Sequence, residues 1–209
     1  MTVTITAEGL KKINPNLLDE RARLYASVLE AVRPLADLST GIRVRHFIAQ
    51  IAQETGGFRA LVESTRYTKP DRLDALFKNV QGPEHARRLV AAGPVAIGNT
   101  IYANKNGNGG VESGDGFRFR GRGFMMVTGR ANYRNVGAMA GLPLEDQPDL
   151  LGEPEPAAKA AAMFWKSRAI NSAADANDIS MVTFLVNGPA RLHLAERRAF
   201  LATAQTIWN

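Results

Sequence analysis

Cysteine is absent from the 209 residues. That absence removes disulfides, thiolate nucleophiles and cysteine-ligated metals together, and leaves packing to hold the fold. Histidine is nearly as scarce. His46, His85 and His193 lie in separate segments with no His-Glu-x-x-His or comparable spacing, so neither a metal nor another cofactor is expected. No apolar run approaches the roughly eighteen residues needed to cross a bilayer, and stretches such as 124–127 and 160–165 are core-sized. Residues 1–15 mix Thr, Glu and Lys with isolated apolar side chains, so the charged start and apolar stretch of a secretory signal are missing. There is no Gly-x-Ser-x-Gly elbow and no phosphate loop ending in Gly-Lys-Ser/Thr. Gly121-Arg-Gly123 lacks the third glycine and the flanking strand of a dinucleotide site.

What is present describes one compact unit. With 45% hydrophobic residues, 209 residues are enough to close an apolar core, and no internal repeat or low-complexity tract divides them. We therefore expect a single domain over 1–209, with 68–103 as a smaller helical lobe. The net charge of +6 raises the encounter rate with polyanions without naming one.

Apolar spacing predicts a mainly α fold. Leu18, Tyr25, Val28, Leu29 and Val32 mark a helix over 16–32 that Pro34 ends. Val44, Phe47, Ile48 and Ile51 form one stripe over 41–55, and Gly56-Gly57 supplies a left-handed stop. Short helical pieces follow within 71–102. Seven glycines in the seventeen positions 107–123 rule out a continuous element and predict an extended loop, with a very short strand where Phe117-Arg118-Phe119-Arg120 alternates. Helices are expected again over 130–140, 156–168, 178–186 and 191–209. Trp165 and Trp208 fall in helical patterns and read as core.

Two carboxylates carry the chemistry. Glu54 follows Ile51 by three residues and Phe47 by seven, which places it at the border of the apolar stripe, one turn from the helix end. Partial desolvation favours the protonated form of a carboxyl, as a general acid near neutral pH requires. Glu63 comes nine residues later, beyond the glycine break, from another local element; it can face Glu54 across a cleft or sit on the surface beside Arg59 or Arg66. An inverting glycosidase needs such a pair about 6.5–9.5 Å apart, one acid for the leaving oxygen and one base for water.

Several runs then resemble one family. Phe47-Ile-Ala-Gln-Ile-Ala-Gln-Glu-Thr-Gly-Gly-Phe58 is similar to the segment around the catalytic acid of glycoside hydrolase family 19, the class I-like chitinases and their lysozyme-like phage endolysin relatives. Glu-Ser-Thr-Arg-Tyr67 is similar to the context of the second carboxylate in those endolysins. Ile101-Tyr-Ala-Asn104, Gly114-Asp-Gly-Phe-Arg-Phe-Arg-Gly-Arg-Gly123, Thr128-Gly-Arg-Ala-Asn-Tyr133 and Leu185-Val-Asn-Gly188 follow in the family's order, so the resemblance spans about 41–198. It implies a lysozyme-like helical fold with a substrate cleft. By the same resemblance Glu54 is the general acid, Glu63 the general base and Thr128 the hydroxyl that holds the attacking water. Asn132 and Asn187 match cleft-lining residues, Tyr133 belongs to the same run as Asn132, and Arg197 matches an arginine that supports the carboxylates. Arg120 and Arg122 offer forked donors from a glycine-rich loop that lets backbone approach a polymer. Asn187-Gly188 fits a helix cap as well as it fits a ligand. The chain departs from the family at Gln53, Met126 and Pro189, where a histidine, a sugar-binding glutamine and a second glycine are usual.

The expected activity is cleavage of β-1,4 bonds between amino sugars of bacterial peptidoglycan by an inverting acid/base mechanism. Chitin oligomers, a lytic transglycosylase reaction and a non-catalytic wall-binding module are the alternatives. Expected partners are peptidoglycan glycan strands and the anionic bacterial envelope, with no nucleic acid and no stable self-association. The resemblance to endolysins implies residence in the host cytoplasm until a membrane-permeabilising holin opens a route to the wall.

Overall fold

The computed structural model describes residues 3–209, and among these the regular elements are helices, with isolated bridges besides. The elements are α1 (Ala7–Ile13), α2 (Asp19–Val32), α3 (Gly41–Glu54), α4 (Pro70–Leu76), α5 (Gly82–Ala92), α6 (Pro94–Ile101), α7 (Asp115–Arg118), α8 (Arg130–Ala140), α9 (Pro154–Ser167), α10 (Ile170–Asp175), α11 (Ile179–Asn187) and α12 (Leu194–Gln205). None of these helices is long and apolar enough to cross a membrane.

The stripe on 41–55 does what its spacing requires. Thr40 accepts the Arg43 N–H at the start of α3, and Val44, Phe47, Ile48 and Ile51 are fully buried. α3 packs against α10, α11 and α12. Phe47 meets Trp165 of α9 edge to face at 5.2 Å, and both tryptophans are buried. Around this axis the main core takes in α1, α2, α8, α9, α10 and α12. A second, smaller cluster of Leu73, Val80, Ala86, Leu89, Ile97 and Ile101 is gathered by α4, α5 and α6, with Tyr67 and Tyr102 packed on its margin.

Some expectations need correction. The alternating run at 117–120 is not a strand: α7 covers Asp115–Arg118, with the Arg118 N–H bonded to Gly114 O. A four-residue alternation carries little weight once the Phe117 N–H is taken by the Asn99 side chain at 2.8 Å and Phe119 is drawn fully into the core. Extended pairing occurs instead as two isolated antiparallel bridges, Val62 with Arg122 and Arg122 with Val127. The short helices α1 and α10, of 7 and 6 residues, carried too few turns to show a period.

Candidate active site

Glu54 is the last residue of α3, and the helix ends there for local reasons. Thr55 donates its hydroxyl to Ile51 O at 2.6 Å and accepts the Phe58 N–H at 2.9 Å. Gly57, at φ +77°, returns its N–H to Ala52 O at 2.7 Å, which completes a left-handed stop. Asn14 clamps the turn by donating to Gly57 O at 2.7 Å.

The Glu54 side chain is 16% exposed, and its Oε1 accepts from Arg197 Nη2 at 2.5 Å; the arginine is 1% exposed. Arg197 also donates to Gln50 Oε1 and, through Nε, to Leu192 O. Gln50 lies one turn before Glu54 and donates onward to Thr183 at 3.4 Å, and Thr183 donates to Ile179 O. The acid thus stands on a buried network drawn from α3, α11 and α12, and its second oxygen has no protein hydrogen-bond partner among the described residues.

Glu63 is held differently. Its N–H bonds to Gly121 O at 2.8 Å, its Oε2 accepts the Gly121 N–H at 3.0 Å, and its Oε1 accepts from the Tyr102 hydroxyl at 2.7 Å. Burial, reinforced by the Glu63 charge, pushes the Tyr102 hydroxyl well above the ordinary tyrosine range, so Tyr102 remains a donor. Gly121 is constrained by proximity. A methyl group on it would meet Glu63 Oε2 at 3.2 Å and Thr128 Oγ1 at 3.3 Å.

Thr128 connects the two carboxylates. It stands beside the same point of Gly121 as Glu63, and it lines with Glu54 a cleft of about 370 Å³. Its hydroxyl donates to Met126 O at 2.9 Å, which leaves the oxygen's lone pairs for a further donor. Asn132 lines the same cleft and donates to Thr128 O at 2.8 Å. Asn187 lines it too while acting as a cap, its Oδ1 accepting the Leu192 N–H at 2.8 Å with Gly188 at φ +86°. Asn187-Gly188 thus ends the helix as a cap while Asn187 also faces the cleft. Met126, at φ +45°, presents a thioether wall where an amide is usual.

Four of the anticipated binding residues, Arg120, Arg122, Tyr133 and Arg197, lie outside the lining of this cleft, as does Glu63. Arg122 is turned inward: it donates to Arg118 O, to the Tyr133 hydroxyl and to Asp149 at 2.6 Å, and is almost wholly buried. Tyr133 is fully buried, donates to Arg120 O at 2.6 Å and packs on Phe119; burial pushes its hydroxyl up to about 12. These two side chains brace the loop that carries Gly121. Arg120 lies 4.0 Å above the Phe117 ring and lines a separate hollow with Asp146 and Asp149.

The loop is also laced to α8. Asp115 accepts from Arg130 Nε and Nη2 at 3.0 and 2.5 Å and from the Gly109 N–H at 3.0 Å, and the Arg130 bond holds its carboxyl below the usual range. Asn108 and the carbonyl of Asn106 take the N–H groups of Arg130 and Ala131, which the first turn of a helix cannot satisfy internally. Gly129, at φ +91°, would place a methyl group 2.4 Å from Asn106 Cβ.

Tyr102, Gln50, Thr183 and Arg168 were not assigned roles from the sequence. Gln50 precedes Glu54 by four residues on one helix face, a spacing that points to it. Tyr102 lies in one of the family-like runs. Nothing local signals the other two.

No family model matches the chain. A glycosyl hydrolase family 19 domain-containing protein of Haemophilus influenzae is 29% identical over 188 residues, covering 90% of each chain. Chitinase C from Streptomyces griseus superposes with a TM-score of 0.60 at 16% identity, over 97% of this chain and 76% of that one. A bacterial family 19 chitinase gives 0.55 at 16% identity, over 96% and 94%. By sequence, then, the chain is similar to a family 19 glycosyl hydrolase domain protein, and it shares the fold of bacterial family 19 chitinases.

Proposed function

We propose that the chain hydrolyses the β-1,4 bonds between amino sugars of bacterial peptidoglycan, with inversion at the anomeric carbon, as a cell-lysing enzyme. One observation carries this reading. Glu54 and Glu63 come from different segments and flank Thr128, each with a fixed orientation. In the proposed reaction Glu54 protonates the leaving glycosidic oxygen through the oxygen that Arg197 does not engage. Glu63, steadied by Tyr102 and the Gly121 N–H, takes the proton of a water that also donates to Thr128. That water attacks the anomeric carbon from the face opposite the leaving group.

Charge supports the wall as substrate. A net +6 favours encounter with an anionic envelope. A membrane-permeabilising partner such as a holin would supply the route to it. Chitin is the second reading, favoured by the activity in the names of the two fold relatives.

The test is Glu54→Gln on purified sacculi and on chitin oligomers. Turnover should fall by at least about a hundred-fold, the scale of a lost general acid, while binding to sacculi survives. NMR of fresh products from the parent enzyme should show the α-anomer. Parental turnover by the Glu54→Gln protein would sink the assignment, and anhydro-sugar ends would replace hydrolysis by transglycosylation.

A further inference from the structure

The cleft holds one cation that the proposed reaction does not use. Arg168 follows α9 and lines the cleft with Glu54, Thr128, Asn132 and Asn187. Its guanidinium lies 4.4 Å above the Phe164 ring, and Nη1 donates to Leu185 O at 2.8 Å. That is the one hydrogen bond it makes among the described residues, and it has no carboxylate partner there. A guanidinium carries five N–H donors in a fixed fork, so most of its capacity is unspent. The ring and the carbonyl restrain the orientation of this exposed side chain, which lowers the entropic cost of engaging a ligand.

The remaining lining shows what such a ligand would be. Asn106, Asn132, Asn135 and Asn187 supply amides, and Met125, Met126 and Met139 supply soft apolar surface. That combination suits an N-acetylated sugar, whose acetamido group has both characters. The only carboxylate in the lining is Glu54, and it is already paired with Arg197. From a neutral polymer such as chitin a guanidinium there gains only hydrogen bonds to uncharged oxygens. It gains a charge-assisted, forked contact from an amino sugar that bears a carboxylate.

We propose that Arg168 is a specificity-determining residue that pairs with a carboxylate carried by the glycan in the cleft. This rests on the wall-hydrolase reading and adds to it the group by which wall glycan is distinguished from chitin. The carboxylate can belong to a lactyl ether on the sugar or to the peptide stem attached through it.

The experiment compares the parent protein with Arg168→Met and Arg168→Lys on four substrates. These are stem-bearing glycan strands, stem-free strands with free lactyl carboxylates, the same stem-free strands with those carboxylates amidated, and chitin oligomers. The parent should favour a carboxylate-bearing strand over the amidated one by about ten-fold in kcat/KM, the scale of one charge-assisted contact. Arg168→Met should bring that ratio close to one, and Arg168→Lys should recover part of it. A preference confined to stem-free strands assigns the lactyl group, and one confined to stem-bearing strands assigns the stem. A general loss of stability or rate would lower all four substrates alike and leave the ratio standing. An unchanged ratio in Arg168→Met, or no preference in the parent, overturns the role of Arg168 alone. Cleavage of chitin with none of any wall strand overturns the wall-hydrolase reading itself.

Discussion

Glu54 in the cleft lining and Glu63 beside Gly121 are supported by opposite means. Glu54 ends a buried helix and is held by a charged partner, Arg197, itself tied through Gln50 to Thr183. Glu63 sits against a glycine-rich loop and is held by neutral donors, a tyrosine hydroxyl and a backbone N–H. A charged support within a helical core is strong, and its removal leaves an uncompensated charge behind. Neutral support from a loop costs less to remove, but it depends on the shape of the backbone. The acid side should therefore fail through stability and the base side through geometry.

The largest expected effect follows from breaking the acid side. Arg197→Met strips Glu54 and Gln50 of a buried partner and should cost about 3 kcal/mol of stability, together with most of the turnover. Urea unfolding and kcat on sacculi check this. A variant with parental unfolding would place the support of Glu54 elsewhere. On the base side, Gly121→Ala should leave unfolding within about 1 kcal/mol of the parent, because Gly121 is not among the positions of positive φ. Its methyl group crowds Glu63 and Thr128, so kcat should fall roughly ten- to a hundred-fold, as displacements near 1 Å do. Equal losses of stability in the two variants would erase the contrast.

The smallest effect sharpens the comparison through pH. The Asp115 carboxyl is held below its usual range by Arg130. Its stabilisation is therefore complete above the ordinary carboxylate range and is lost as pH falls through the depressed value. Asp115→Asn should lower stability near neutrality by on the order of 2 kcal/mol. The gap between variant and parent should close as pH falls below the ordinary carboxylate range. Unfolding free energies across that range would show it, and a constant gap would exclude the Arg130 pair as its source.

Much of this arrangement was legible in the residues. The stripe of Val44, Phe47, Ile48 and Ile51 with Gly56-Gly57 behind it locates the helix that presents Glu54, because period and stop are local properties. The helix over 130–140 was readable for the same reason. The support of Glu54 was less so, since Arg197 is 143 residues away and Thr183 is 133 from Gln50. Arg120 and Arg122 show the limit most clearly. Both offered forked donors from a glycine-rich loop, yet Arg118 O and the Tyr133 hydroxyl hold Arg122 inward. Pattern reports local conformation, whereas the orientation of a long polar side chain is decided by partners that folding delivers.

Tyr102 packs on the margin of the smaller hydrophobic cluster, while the backbone of Glu63 is fastened to Gly121 beside the larger one. The hydroxyl and the carboxylate that accepts from it are thus anchored beside different hydrophobic clusters. Packing in the smaller cluster therefore reaches the Glu63 carboxylate through one hydroxyl, so a substitution that loosens Leu89 or Ile97 bears on a side chain with which neither shares a cluster.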